Sequence, residues 1–303
     1  MLETAQTTDA FCKTSIDDTL LVRLLSVRCQ EAQAEELTNQ DYAQVRIQSD
    51  GSSLCFCVCD GVGSSYKGDF AAQYLATHLV QWLQTLKDLQ GKTSTLVGQL
   101  NAQLNLWSRP AQEQLRQVTI SQSTPALVRE VLEELRDTYG SETVFLCGRI
   151  DLDTQSTSLR AGDANSSYPV HLLVCWMGNV TARLLAETDR EPKGGACTHP
   201  SEVPIPTPTD HCVTLGGDDD RVARWSTLRG ARGTVTIWQR DLATIDRLTV
   251  HTDGLNAIGL SLHNLDDEAW QAQAQRLLKQ PSNDDMTALE LRWLCHNPGL
   301  HEQ

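Results

Sequence analysis

Leu54-Cys55-Phe56-Cys57-Val58-Cys59-Asp60-Gly61-Val62-Gly63 is an apolar run that closes on a carboxylate and small residues. Preceded by the turn Asp50-Gly51-Ser52, it reads as a strand, with Cys55, Cys57 and Cys59 on one face because side chains alternate along a strand. The period then changes. From Asp69, apolar residues recur every three to four positions at Ala71, Leu75, Leu79, Trp82 and Leu86, which predicts an amphipathic helix packed on a sheet. Two more acidic signatures sit at strand ends, Thr252-Asp253-Gly254 closing one apolar run and Asp284-Asp285-Met286-Thr287 opening another. Carboxylates that end neighbouring strands converge, and a cluster of hard oxygen ligands selects Mg²⁺ or Mn²⁺.

Working outward, Thr19–Val27 and Ala43–Ile47 read as strands upstream. Downstream, Leu96–Trp107 and Pro125–Tyr139 read as helices, the second with Thr124 as N-cap and Pro125 at its first position. Thr143–Asp151, Ser158–Arg160, Pro169–Met177 and Ala182–Leu185 read as strands and antiparallel neighbours. Glu191–His211 holds five prolines and reads as a loop. Thr234–Trp238, Leu248–Thr252 and Met286–Trp293 complete the strands, with a helix at Asp267–Lys279. Strand runs interrupted by paired helices predict an α+β fold. The expectation is an antiparallel β-sandwich flanked by helices on both faces, in four α-β-β-α layers. Residues 19–295 form the domain, between tails at 1–18 and 296–303.

Composition narrows the classes. Hydrophobic content of 40% suffices for a large core, and no apolar run approaches the roughly 18 residues of a membrane span. The N-terminus lacks the basic region of a signal peptide, so a cytoplasmic location is expected, with the ten cysteines reduced. The three alternating cysteines read as small buried hydrophobes rather than as a soft-metal or redox site. A formal net charge of −14 argues against nucleic acid and anionic membranes as partners. His251 reads as strand packing, and Asp218-Asp219-Asp220 as a solvated turn lacking the pattern of a Ca²⁺ loop.

The blocks around these residues resemble, in order, those of the type 2C (PPM) metal-dependent protein phosphatases. Asn39-Gln40-Asp41, Phe56 to Gly63 with Gly68 and Ala71-Ala72, Gly140-Ser141-Glu142-Thr143, Leu173–Leu184, Asp253-Gly254-Leu255 and Asp284-Asp285-Met286-Thr287 carry the resemblance across nearly the whole chain. It implies hydrolysis of phosphoserine or phosphothreonine in proteins by water activated at two Mg²⁺ or Mn²⁺ ions. It implies that Asp60 bridges both ions, that the Gly61 carbonyl binds one, and that Asp253 and Asp284 complete the other's set. Asp41 would act through bound water, with Gln40 and Asp285 as supporting polar residues. The implied partner is a phosphoprotein, a Ser/Thr kinase or its target, and the loop at 191–211 stands where the family has a variable flap.

Three departures mark this chain. Glu36 stands where some members carry a phosphate-binding Arg and reads as facing solvent, with the metals alone holding the phosphate; nothing local supports Arg28 in that part. Val62 stands where eukaryotic members often have a His, and Asn179 falls where the family's Gly-Asp would supply a carboxylate for a third metal. Taken singly, a strand-end Asp forms turns or caps helices. No Cys-x₅-Arg nucleophile loop follows Cys59. Two rival readings are a phosphatase-fold binding or regulatory protein with little or no turnover, and a two-metal hydrolase of small phosphoesters.

Overall fold

The computed structural model describes residues 1–16, 20–49, 51–87, 89, 91–152, 170–185, 212–217, 223–242, 245–256, 262 and 265–293. The chain begins with β1 (Leu2–Glu3), β2 (Ala10–Ile16), β3 (Leu20–Val27), α1 (Gln30–Ala34), β4 (Tyr42–Ile47) and β5 (Ser53–Gly61). Helices α2 (Gly68–Thr85), α3 (Thr93–Gln117) and α4 (Ala126–Thr138) follow, then β6 (Glu142–Leu152), β7 (Val170–Met177) and β8 (Thr181–Leu185). After them come β9 (Cys212–Gly216), β10 (Arg224–Ser226), β11 (Gly230–Arg232), β12 (Thr236–Leu242) and β13 (Arg247–His251). The described chain ends with α5 (Asp253–Asn256), α6 (Asp267–Lys279) and β14 (Met286–Trp293).

Among the described residues the strands make two antiparallel sheets. The first runs β1-β4-β5-β6, and β6 then pairs with both the β10–β11 hairpin and β7, which carries β12. The second runs β2-β3-β14-β13-β8-β9. Alternation along β5 builds two cores at once. Leu54, Phe56 and Val58 fill the space between the sheets with Val22 and Leu24 of β3, while Cys55, Cys57 and Cys59 lie beneath Leu75, Leu79 and Leu83 of α2. Each such buried side chain contributes roughly 1.5–3 kcal/mol relative to exposure. On the opposite face α6 buries Trp270, Ala274 and Leu277 against Leu25, Val27 and Met286. Asp266 caps α6 by accepting from the Ala269 N–H at 2.8 Å. The four-layer α+β arrangement expected from the sequence is therefore present.

Several local expectations are corrected. Within the expected tail at 1–18, Ala10–Ile16 form β2, which pairs along its length with β3, and Phe11 stacks on Trp270 at 5.2 Å. β7 and β8 are not neighbours: β7 lies in the first sheet, and β8 pairs with β13 and β9 in the second. Gly178, at φ 91°, makes the turn that carries the chain between sheets. Pro125 rather than Thr124 occupies the N-cap of α4, without a side-chain cap. Ser158–Arg160, Asp218-Asp219-Asp220 and Glu191–His211 lie outside the described residues. No described helix is long and apolar enough to cross a membrane.

Candidate active site

Antiparallel pairing brings the start of β4 beside the end of β5, and the end of β13 beside the start of β14. Asp41 precedes β4, Asp60 is the penultimate residue of β5, Asp253 follows β13, and Asp284-Asp285 precede β14. All five carboxylates line one cavity of about 490 Å³, together with Gln40, Gly61, Val62, Asn179 and Arg224.

The backbone around the cavity is tied by hydrogen bonds from these same blocks. Asp285 accepts from the Cys29 N–H at 2.7 Å and from the Gln40 N–H at 2.6 Å, so one carboxylate joins two loops to the start of β14. Charge-assisted bonds of this kind are the strong ones. Asp41, which is buried, accepts from Thr252 Oγ1 at 2.8 Å, and its own N–H donates to Asn39 Oδ1 at 2.7 Å. Thr252 Oγ1 also accepts from the Thr287 N–H at 3.0 Å, so two sheets meet at one hydroxyl. Thr143 Oγ1 donates to the Asp60 carbonyl at 2.7 Å and fixes the end of β5.

Two glycines are required by close approach. A Cβ on Gly61 would stand 2.5 Å from the Gly68 carbonyl and 2.6 Å from that of Gln40, and one on Gly254 would collide with the Asp285 carbonyl oxygen. The Asp-Gly pairs thus arise because backbone must pass backbone immediately beside each carboxylate.

Like charges in this site oppose ionisation. Burial first, then the charges of Asp41, Asp253 and Asp284, push the Asp60 carboxyl well above the usual carboxylate range. Burial and Asp285 do the same to Asp41, and burial and Asp253 raise Asp284. Asp253 and Asp60 line the same cavity, and the negative charge they place there is one that a cation would offset. Among the described residues no three Asp, Glu, His or Cys side chains surround a common point as metal ligands do. Even so, the described lining, dominated by carboxylate and carbonyl oxygens, suits hard divalent cations; its one sulfur is the Cys29 thiol, whose pKa burial raises, and it has no imidazole.

The structure brings together Gln40, Asp41, Asp60, Gly61, Asp253, Asp284 and Asp285, the residues singled out from the sequence. Asn179 joins them, donating from Nδ2 to Asp253 Oδ2 at 2.6 Å. Glu36 is exposed and outside the cavity, and Arg28 is engaged with Asp9 at 3.1 Å. His251 is buried in β13 and the described cysteines are free thiols, with burial pushing Cys55 up to about 12. Sequence reasoning missed Arg224. It arrives on a three-residue strand with no periodicity to read, and its pairing with Glu142 at 3.1 Å spans 82 residues.

Residues 30–137 match the family model for protein phosphatase 2C. The fold is shared with RsbX, solved in complex with magnesium, at a TM-score of 0.51 and 12% identity, covering 94% of this chain and 100% of that one. A serine/threonine phosphatase of S. agalactiae gives a TM-score of 0.51 at 14% identity, covering 90% of this chain and 99% of that one. At these identities the likeness to solved structures is one of fold. Among curated proteins, none matches the sequence significantly.

Proposed function

We propose that this chain, a member of the type 2C (PPM) phosphatase family, is a Mg²⁺- or Mn²⁺-dependent serine/threonine protein phosphatase that hydrolyses phosphomonoesters with activated water. The observation that carries this reading is the convergence of Asp41, Asp60, Asp253, Asp284 and Asp285, drawn from four separate sequence blocks, on one cavity. Asp60, the Gly61 carbonyl, Asp253 and Asp284 would hold two ions. Bound there, such ions supply Lewis acidity, a lowered water pKa and charge for a phosphoryl group.

The chain's own contributions are orientation and exclusion. Asp60 is held between its neighbours at the end of β5, where Thr143 fixes its carbonyl. Asp41 is oriented by Thr252, and Asp285 clamps the Gln40 loop over the floor of the cavity. Val62 brings no acidic proton to the wall, so the leaving oxygen would take its proton from solvent in the cavity. The substrate in this proposal is a phosphoserine or phosphothreonine protein, either a Ser/Thr kinase or its target. A cytoplasmic location belongs to the same proposal and accords with the free thiols.

One observation favours the alternative of a phosphatase-fold binding or regulatory protein: Asn179 occupies an oxygen of Asp253 that a cation would need. A single assay separates the readings. The purified chain should hydrolyse a phosphoserine or phosphothreonine peptide in Mn²⁺ and lose turnover in excess chelator. Full activity in chelator would exclude the metal mechanism. Absence of turnover on the peptide and on a small aryl phosphate would favour the regulatory reading, and turnover of the aryl phosphate alone would favour a small-ester hydrolase.

A further inference from the structure

Arg224 is the only cationic residue among the described residues that line the carboxylate cavity. Its place is fixed by more than its own side chain. β10 pairs with the start of β6, setting Trp225 opposite Thr143 and Ser226 opposite Glu142. Trp225 is fully buried, and its indole N–H donates to the Leu104 carbonyl at 2.8 Å, which locks the strand to α3. The Arg224 guanidinium then donates from Nη1 to Glu142 Oε2 at 3.1 Å, while Arg232, opposite it in the β10–β11 hairpin, donates to Glu142 Oε1 at 2.9 Å. Glu142 thus receives both guanidiniums, one on each carboxylate oxygen, and holds Arg224 at its place on the hairpin. Arg224 stands at the wall of a cavity whose other described charged side chains are five aspartates.

We propose that Arg224 is the phosphate-gripping residue of this chain, contacting the phosphoryl oxygens of the substrate and setting its affinity for phosphomonoesters. The inference rests on the phosphatase reading and extends it, because Glu36 is exposed and cannot take that part. Among the described lining residues no other side chain brings a positive charge to meet a phosphate dianion. A guanidinium has five N–H donors and matches phosphate oxygens in a fork, so it can serve Glu142 and a phosphoryl group together. Anchoring by Glu142 reduces the side-chain freedom lost on binding.

Inorganic phosphate is the direct probe. Its affinity for the Mn²⁺-loaded full chain, measured by calorimetry, should fall at least about tenfold in Arg224→Gln and partly recover in Arg224→Lys, which keeps the charge but not the fork. Arg229→Gln makes the same charge change at an exposed position of the same hairpin and should stay within about twofold of the parent. On a phosphopeptide, Arg224→Gln should raise KM by a similar factor and change kcat little, the pattern of a lost ground-state contact. Equal phosphate affinity in Arg224→Gln and Arg229→Gln, or no phosphate binding by the parent chain, would overturn the proposal. Failure of the phosphatase reading looks different: the parent would hydrolyse nothing, yet still bind phosphate through Arg224.

Discussion

Asp60 shows how a single residue trades stability for chemistry. Its carboxyl is pushed well above the usual carboxylate range by burial and by Asp41, Asp253 and Asp284. In the metal-free chain the native state therefore keeps a proton that the unfolded chain has already released. Between those two pKa values folding takes up protons, so the contribution of Asp60 to stability falls as pH rises through the window. Asp60→Asn removes that penalty. The metal-free variant should be more stable than the parent at pH 8, and the difference should shrink as the pH is lowered toward the ordinary carboxylate range. Thermal or denaturant unfolding across that range measures it. The same substitution should lower phosphopeptide turnover by at least about two orders of magnitude, the scale of losing a principal electrostatic element. Lower stability at pH 8, or near-parental turnover, would contradict the role assigned to Asp60.

At the scale of elements, α1 shows what a sequence hides. Glu36 follows its C-terminus at φ 56°, in the left-handed region, with the Leu37 N–H donating back to the Ala32 carbonyl at 2.8 Å. That is a Schellman ending, which glycine normally occupies. Glu36→Gly should therefore raise stability by about 0.5–1 kcal/mol by relieving the strained conformation, read as an increase in the urea midpoint. Glu36→Arg should leave the phosphopeptide KM unchanged, since residue 36 is exposed and outside the cavity. The long periodic elements were legible: α6 and β14 run over the residues read from the pattern, and the β5 run with its alternating faces is as expected. What escaped reading was short or non-local. β10 and β11 have three residues each and are defined by their partners, and β2 alternates weakly because it is an edge strand half open to solvent. The strand-end carboxylates of the site could be read because a tight backbone approach leaves Asp-Gly pairs in the sequence. Arg224 and the Asn179–Asp253 bond depend on pairings between distant segments, which leave no local pattern.

For the whole molecule, the sandwich is the device that makes the site. Each sheet ends one pair of strands at the same rim, so carboxylates 41, 60, 253 and 284-285 meet although more than two hundred residues separate the first from the last. Two hydrophobic layers of helices hold the sheets in register, and the hydroxyl of Thr252 links the rims. An acidic pocket of this kind has excess charge that a cation would relieve, so metal binding and folding should be coupled. In the proposed function this rim holds divalent metal through Asp60. Mn²⁺ binding to the parent chain and to Asp60→Asn, followed by electron paramagnetic resonance, tests it without reference to turnover. Two Mn²⁺ should bind per parent chain, with loss of tight binding in Asp60→Asn. A parent chain that binds no Mn²⁺, or an Asp60→Asn chain that binds two as tightly as the parent, would contradict it.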